Sequence, residues 1–134
     1  MALKYSTTLR NAQLDAITTA VGTSGILRIY SGTRPANVAA AITGTLLAEL
    51  VCNASAFAAA ASGGVLTANA ISNDSSANGS GTASHYRLWK SDGTTAVIDG
   101  DVSTSGADLN LDNTSITTGQ VVSVTSFTIT AANS

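Results

Sequence analysis

The sequence has 134 residues, enough for one domain with a substantial core. Hydrophobic residues make up 44% of it, but aromatic residues only 4% and charged residues 10%, against roughly 25% charged in an ordinary soluble domain. The formal net charge is −2 and no basic cluster is present, which argues against direct binding of DNA or RNA. The surface is therefore expected to consist of Ser, Thr, Asn and Ala, which lose little side-chain entropy and little charge hydration when another protein covers them.

Cysteine content and hydropathy exclude further classes of protein. A single cysteine, Cys52, excludes an intramolecular disulfide and a cysteine-based zinc site within one chain. No long apolar run follows Lys4, so a secretory signal is not expected. No segment approaches the ~20 apolar residues of a membrane-spanning helix, so no membrane partner is expected.

The chain begins with a segment, residues 1–6, that reads as an extended arm. Apolar residues at helical spacing then predict a short helix: Leu14, Ile17 and Val21, with Leu9 and Ala20 near the same side. Hydroxyl side chains from Ser6 to Thr8 can cap its start, and Gly22 suits the left-handed residue that ends a helix.

The rest of the sequence predicts short strands between Gly- and Asn-rich turns. They are Ile26–Ser31, Thr45–Cys52, Ala56–Ala61, Val65–Ile71, Ala83–Lys90, Thr95–Ile98, Asp101–Thr104, Leu109–Leu111 and Val121–Ala131. In Ala83–Lys90, alternation places Tyr86 and Leu88 on one face and His85, Arg87 and Trp89 on the other. A change of phase in the last strand predicts a β-bulge near Thr125-Ser126, and the polar segment 73–81 is predicted to be a loop.

These strands and their spacing indicate the fold class. With no repeated crossover helices, a parallel α/β fold is disfavoured, and the pattern predicts a mainly β protein. We expect an antiparallel β-sandwich, jelly-roll-like, with one short N-terminal helix. The arm and helix would occupy residues 1–22 and the sandwich domain residues 23–134.

Residue types that carry catalysis are scarce. The single histidine, His85, lies inside a predicted strand with no partner nearby in the sequence. Cys52 follows Leu50 and Val51, a setting typical of a small buried residue. Glu49 is the single glutamate, so nothing selects a pair of carboxylates for acid–base work. We therefore expect no enzyme activity and no cofactor.

An acidic stretch between Asp99 and Asp112 is the one candidate metal site. Asp108, Asn110 and Asp112 match the start of a calcium loop. The sixth and twelfth positions would be Asn113 and Gly119, where such a loop needs Gly and Glu. Leucines at 109 and 111 alternate with the polar residues, as in a half-buried strand, so no metal is expected.

Several short runs resemble small virion proteins encoded in the structural-gene clusters of tailed bacteriophages and prophages. The runs are Leu27–Pro35, Gly44–Leu50, the Ala-Phe57-Ala element, Tyr86–Trp89, Asp92–Thr95 and Val121–Ala131. The resemblance covers most of the chain from about residue 9 onward and is greatest to head decoration, or cement, proteins. Those are β-sandwich or jelly-roll modules that bind across capsomer boundaries as dimers or trimers.

The resemblance implies a structural protein on the capsid surface, made in the cytoplasm of the bacterial host. Its expected partners are the major capsid protein and further copies of itself, as a dimer or trimer. The expected contact regions are the arm and helix and the loops over residues 31–42 and 73–81. Candidate interface residues in and around them are Leu3, Lys4, Tyr5, Arg10, Arg34, Pro35, Asn37, Asn73, Asp74 and Trp89.

Two alternatives remain open at this point. One is a tail, baseplate or fibre component, which is also structural. The other is a glycan- or receptor-binding β-sandwich module, for which Trp89, Tyr86 and His85 would be the stacking surface. The scarcity of aromatic residues counts against the second.

Overall fold

The computed structural model describes residues 3–58 and 61–133. Within these residues the protein is mainly β with one short helix, as predicted. The elements are α1 (Thr7–Val21), β1 (Ile26–Tyr30), β2 (Leu46–Val51), β3 (Val65–Thr67), β4 (Gly81–Thr82), β5 (His85–Trp89), β6 (Ala96–Ser103), β7 (Leu109–Leu111), β8 (Ser115–Ile116) and β9 (Val124–Thr130). Residues 1 and 2 of the predicted arm, and residues 59 and 60 of the predicted strand Ala56–Ala61, lie outside the described part. The helix is not long and apolar enough to cross a membrane.

Seven strands form one sheet in the order β2-β1-β5-β6-β7-β9-β3, and β4 pairs with β8 apart from it. Its strand pairs are antiparallel except β6 and β7, which run parallel. The expectation of a purely antiparallel sheet is therefore wrong at this pair. A parallel pair normally needs a long crossover. Here the pairing spans only Val102↔Leu109 and Ser103↔Asn110, so the short loop 104–108 suffices to bring the chain back.

The sheet is curled around its core. In a flat sheet, three strand spacings would separate β5 from β9 by about 14 Å. The ring centroids of Tyr86 on β5 and Phe127 on β9 are nevertheless 5.1 Å apart, and Phe57 lies 5.4 Å from Phe127. Aliphatic side chains from many strands fill the space around these rings, among them Leu27, Ile29, Leu47, Leu50, Leu66, Leu88 and Leu109.

The alternation predicted for β5 is confirmed. Tyr86 and Leu88 are fully buried on the core side. His85 and Arg87 lie on the opposite face, where they are also buried because a loop crosses that face. Strand β5 is therefore covered on both faces, by the core on one and by the loop on the other.

Gly100 lies within a single strand where the sequence predicted a break between two strands. The predicted strands Thr95–Ile98 and Asp101–Thr104 form a single strand, β6, that runs through this glycine. Gly100 pairs with Tyr86, and a Cβ at position 100 would collide with the Tyr86 ring. The glycine therefore makes room for a core side chain and does not end the strand.

The bulge predicted in the last strand is confirmed. Asn110 of β7 pairs with Ser126, whereas the next residue, Leu111, pairs with Val124. Thr125 is thus the extra residue of β9. Its hydroxyl donates to the Asn110 carbonyl at 3.1 Å, which holds the bulge to its neighbour.

The helix has the predicted caps but a different inner face. Ser6 Oγ accepts from the Leu9 N–H, and Gly22 ends α1 with a φ of 73°. Leu14 and Val21 are buried as expected, but Leu9 is 46% exposed. At 100° per residue, Leu9 lies about 140° from Leu14, so the expectation that Leu9 and Ala20 share the inner side is wrong; Ala20 is exposed as well.

Both edges of the sheet are covered by the chain's own segments. Along β2, Ser72 donates its N–H to the Val51 carbonyl and Asn78 to the Leu47 carbonyl. The segment predicted as a free polar loop, residues 73–81, therefore lies along an edge strand. At the other edge, the Ala58 N–H donates to the Thr67 carbonyl of β3 at 2.8 Å. Covered edges cannot pair with a strand from another chain.

Candidate functional site

Two of the predicted interface residues serve the fold instead. Arg10 is only 9% exposed, and its Nη2 donates to the Ala131 carbonyl at 3.2 Å, which ties α1 to the segment after β9. The Asp74 carboxylate accepts the Glu49 N–H of β2 at 2.9 Å, and it also accepts from the Ser76 N–H. Both residues look like surface charges in the sequence, but each satisfies backbone groups that would otherwise be unpaired. Arg10 therefore has little surface left for a partner, whereas Asp74 remains half-buried.

The arm retains an exposed apolar residue. Leu3 is 61% exposed, the most of any large hydrophobic residue among those described. Lys4 is exposed, and Tyr5 is half-buried because its N–H donates to the Asn133 carbonyl at 2.8 Å. The arm is thus anchored at Tyr5 and presents Leu3 outward.

The outer face of α1 is a second exposed region, and none of its side chains is charged. All residues of α1 are described, and its two charged side chains, Arg10 and Asp15, both bond to the body of the protein. The residues on the outer face are uncharged and, apart from Gln13, small or apolar: Leu9, Ala12, Gln13, Ala16, Thr19 and Ala20, all exposed. We call Leu3 together with these residues the α1 surface.

The outer face of β5 has the opposite character. Arg87 and Asp99 form an ion pair there with side chains only 3% and 6% exposed, and both guanidinium–carboxylate bonds are short (2.6 and 2.9 Å). The bond to Asp99 raises the pKa of Arg87, which stays charged at any ordinary pH. A second pair, Arg28 and Glu49, lies beside it at 2.7 Å and is partly exposed.

A loop, residues 31–45, crosses this face and is held by the same arginine. Arg87 donates from Nη1 to the Ala40 carbonyl at 2.9 Å and from Nη2 to the Asn37 carbonyl at 3.3 Å. Arg34 on the loop pairs with Asp101 at 3.1 Å in a solvent-exposed contact. We call this segment the cover loop; it also carries Pro35, half-buried, and Asn37, exposed.

An open cleft of about 840 Å³ lies between the cover loop and the β5–β6 hairpin. Its floor includes Tyr30, Arg87 and Trp89. One wall is the aliphatic stretch 38–42 of the cover loop, and the other is the segment 94–96. Its lining is largely apolar, and the Arg87 guanidinium is paired within the protein, but the buried Trp89 Nε1 has no hydrogen-bond partner among the described residues.

The aromatic stacking surface considered for a glycan is reduced to one residue. Tyr86 is buried in the core and His85 is 1% exposed, stacked on Tyr30 with the ring centroids 5.4 Å apart. Trp89 alone is partly exposed, and the guanidinium carbons of Arg28 and Arg87 lie 5.3 and 5.6 Å from its ring centroid. A sugar could stack only at Trp89 within the cleft.

Side chains suited to covalent or metal chemistry are dispersed. Burial raises the pKa of the Cys52 thiol to about 11, so this thiol is protonated at neutral pH. Among the described residues, no group of three or more His, Cys, Asp or Glu side chains is placed to hold a metal ion. The acidic stretch is divided: Asp99 and Asp101 pair with arginines, and Leu109 and Leu111 are buried in β7.

Sequence reasoning overlooked the two features that define these surfaces. The uncharged outer face of α1 was available as a pattern, because Leu9, Ala16 and Ala20 lie within about 40° of one another on a helical wheel. The bond between Arg87 and Asp99 had no comparable signal, since it depends on the pairing of β5 with β6.

Comparisons of the chain with protein-family models, with curated proteins and with solved structures found no match. The surfaces and contacts described above therefore carry the argument about function.

Proposed function

We propose that the protein is a non-enzymatic structural component of a tailed-phage virion, a head decoration protein that binds across capsomers and stabilises the capsid. It would act on the capsid surface as a dimer or trimer, with the major capsid protein as its partner. The sequence resemblance suggests the setting. The observation that carries an assembly role is the uncharged, exposed α1 surface.

The physical argument starts from what the α1 surface lacks. Burying a charge requires desolvation, and ordering long side chains costs entropy. The α1 surface has no charged side chain of its own, although the exposed Lys4 follows Leu3 in the chain, and Gln13 is its one long polar side chain. It exposes Leu3 and Leu9. Contact with another protein would remove this apolar area from water at little opposing cost.

Covered sheet edges favour the same surface. Because segments 72–79 and 56–58 occupy the edges of the sheet, assembly by strand addition is blocked. Contacts must form through a face or a loop. Several weak contacts of this kind suffice on a capsid, because an oligomer that is bound once makes its later contacts intramolecularly.

The proposal extends to the architecture of the curled sheet. We propose that the curled sheet acts as a sandwich, with β2-β1-β5-β6 forming one layer and β7-β9-β3 the other. The contact between Tyr86 and Phe127 across the core supports this division. Such a two-layered module would present α1 and the cover loop as separate surfaces.

Co-sedimentation with capsids that lack the protein tests the proposal. The native protein should sediment with capsids at micromolar concentration, and Leu9→Glu should abolish or strongly weaken binding by placing a charge in the α1 surface. Val121→Glu is the matched control, because Val121 is exposed to a similar degree (53% against 46%) but lies outside that surface. Absence of native binding, or equal binding by both variants, contradicts the proposal.

A second candidate, a glycan-binding module, has one observation in its favour. Trp89 is partly exposed in a cleft large enough for a sugar. Its fluorescence should then change on titration with a host polysaccharide, and Trp89→Ala should lose binding. Retention of polysaccharide binding by Trp89→Ala would remove this candidate.

A further inference from the structure

His85 lies under the cover loop, where its Nδ1 bonds to the Ser84 hydroxyl. The Ser84 hydroxyl has one proton and lies 2.6 Å from the Gly32 carbonyl and 3.3 Å from the Tyr30 carbonyl, neither of which can donate. Ser84 Oγ therefore donates to a carbonyl and accepts from His85 Nδ1, which is 2.8 Å away. This hydrogen-bond pattern therefore places a proton on Nδ1 of the imidazole.

The other ring nitrogen of His85, Nε2, is buried and makes no hydrogen bond with the described residues. The cover loop lies close to the ring edge between the two nitrogens, since a Cβ at Gly44 would lie 3.6 Å from His85 Cε1. A proton added to Nε2 would create a cationic N–H with no acceptor.

The charged groups around the His85 ring would offset little of the cost of a buried positive charge. Burial lowers the pKa of His85, Asp99 and Asp101 raise it, and Arg34 and Arg87 lower it. Both carboxylates are already bonded to those two arginines. The remaining neighbour is the stacked ring of Tyr30. An imidazolium would therefore compete for Asp99 and Asp101 with the arginines that hold the cover loop.

We propose that the cover loop, residues 31–45, is an acid-released cover: protonation of His85 at Nε2 detaches the loop from β5 and uncovers Tyr30 and Trp89. The proton comes from solvent, and release lets water reach the imidazolium. The ion pair between Arg87 and Asp99 stays within the sheet, whereas the bonds from Arg87 to Ala40 and Asn37 are lost. This device does not depend on the assembly role proposed above.

The chain supplies its own probes, because it has one histidine and one tryptophan. Acrylamide quenching of Trp89 fluorescence reports the accessibility of the ring, and the His85 Cε1–H proton resonance reports its protonation. Both should be followed from about pH 7.5 to about pH 4.5, a range that spans ordinary imidazole titration. Far-UV circular dichroism over the same range reports whether the sheet is intact.

We expect the quenching constant to rise in one step whose midpoint coincides with the His85 resonance and lies below the ordinary imidazole value. The circular dichroism should stay constant across that step. His85→Asn is the matched variant: its amide can still donate to Ser84 Oγ, but it does not titrate, so the step should vanish.

Three results would overturn the proposal. They are a His85 titration with no change in quenching, a quenching step that persists in His85→Asn, and a loss of sheet signal together with the step. The first and third results need only the native protein, so the proposal stays testable if His85→Asn folds poorly.

Discussion

The outer faces of β5 and α1 differ in charge and in exposure. Arg87 and Asp99 are charged but covered by a loop, and they bond to each other within the sheet. The outer face of α1 is uncovered but carries no charged side chain, because Arg10 and Asp15 are both turned inward. In a chain with only 10% charged residues, charges thus hold loops and ends in place, and an uncharged surface is left open.

This placement of charge differs from that of an ordinary soluble domain. Such a domain places charges on its surface for solubility. Here the best-formed ion pair is internal, and the exposed helix face consists of uncharged residues, mainly alanine with leucine, threonine and glutamine. We infer that the internal pair specifies the position of the cover loop, whereas the α1 surface is suited to contact with a partner.

The largest expected effect comes from breaking the internal pair. Arg87→Met should lower the free energy of unfolding by roughly 3–5 kcal/mol, because it leaves the Asp99 carboxylate buried without a partner. Arg34→Met is the control, since the Arg34–Asp101 pair is exposed and should contribute about 0–1 kcal/mol. Urea denaturation of both variants measures the difference, and equal losses would contradict a special role for Arg87.

Substitutions on the two faces of α1 should differ in their effect on the free energy of unfolding, by a somewhat smaller amount. Leu14→Ala should cost about 2–5 kcal/mol because it leaves a cavity in the core. Leu9→Ala should change stability by no more than about 0.5 kcal/mol because the side chain is exposed. A large loss of thermal stability in Leu9→Ala would mean that this residue supports the fold and is not kept for a partner.

The base of the cover loop offers a third test. A Cβ at Gly44 would collide with the Ser31 carbonyl, so Gly44→Ala should displace the loop and cost roughly 1–3 kcal/mol. It should also raise acrylamide quenching of Trp89 at neutral pH. Native quenching in this variant would show that the loop base does not control access to Trp89.

The smallest effect is a dependence of stability on pH. Because the folded-state pKa of His85 lies below its ordinary value of 6.5, the folded state binds fewer protons than the unfolded state. Its contribution is complete above pH 6.5 and is lost as the pH falls through the folded-state value. Urea midpoints measured in steps of pH should therefore fall on acidification more steeply for the native protein than for His85→Asn, and parallel curves would contradict this linkage.

Local patterns in the sequence predicted local structure well. The alternation in β5, the caps at Ser6 and Gly22, and the bulge at Thr125 each depend on residues close together in the chain. A period of two, a hydroxyl before a helix or a change of phase is enough to indicate them.

Features set by distant residues were not predictable in the same way. Gly100 looks like a strand breaker until the Tyr86 ring that packs against it is known. Arg10 and Asp74 look like surface charges until their bonds to Ala131 and Glu49 are known. The parallel pairing of β6 and β7 has no sequence signal, because it spans only two residue pairs.

We propose that the protein assembles on a capsid through the α1 surface, and cryo-electron microscopy of phage particles assembled in its presence is the decisive experiment. We predict density for the protein on the head, bridging capsomers, with α1 and Leu3 at the contact with the capsid or with a second copy. Density on the tail, or a head-bound protein whose α1 surface faces solvent with no contact to any chain, would contradict the account.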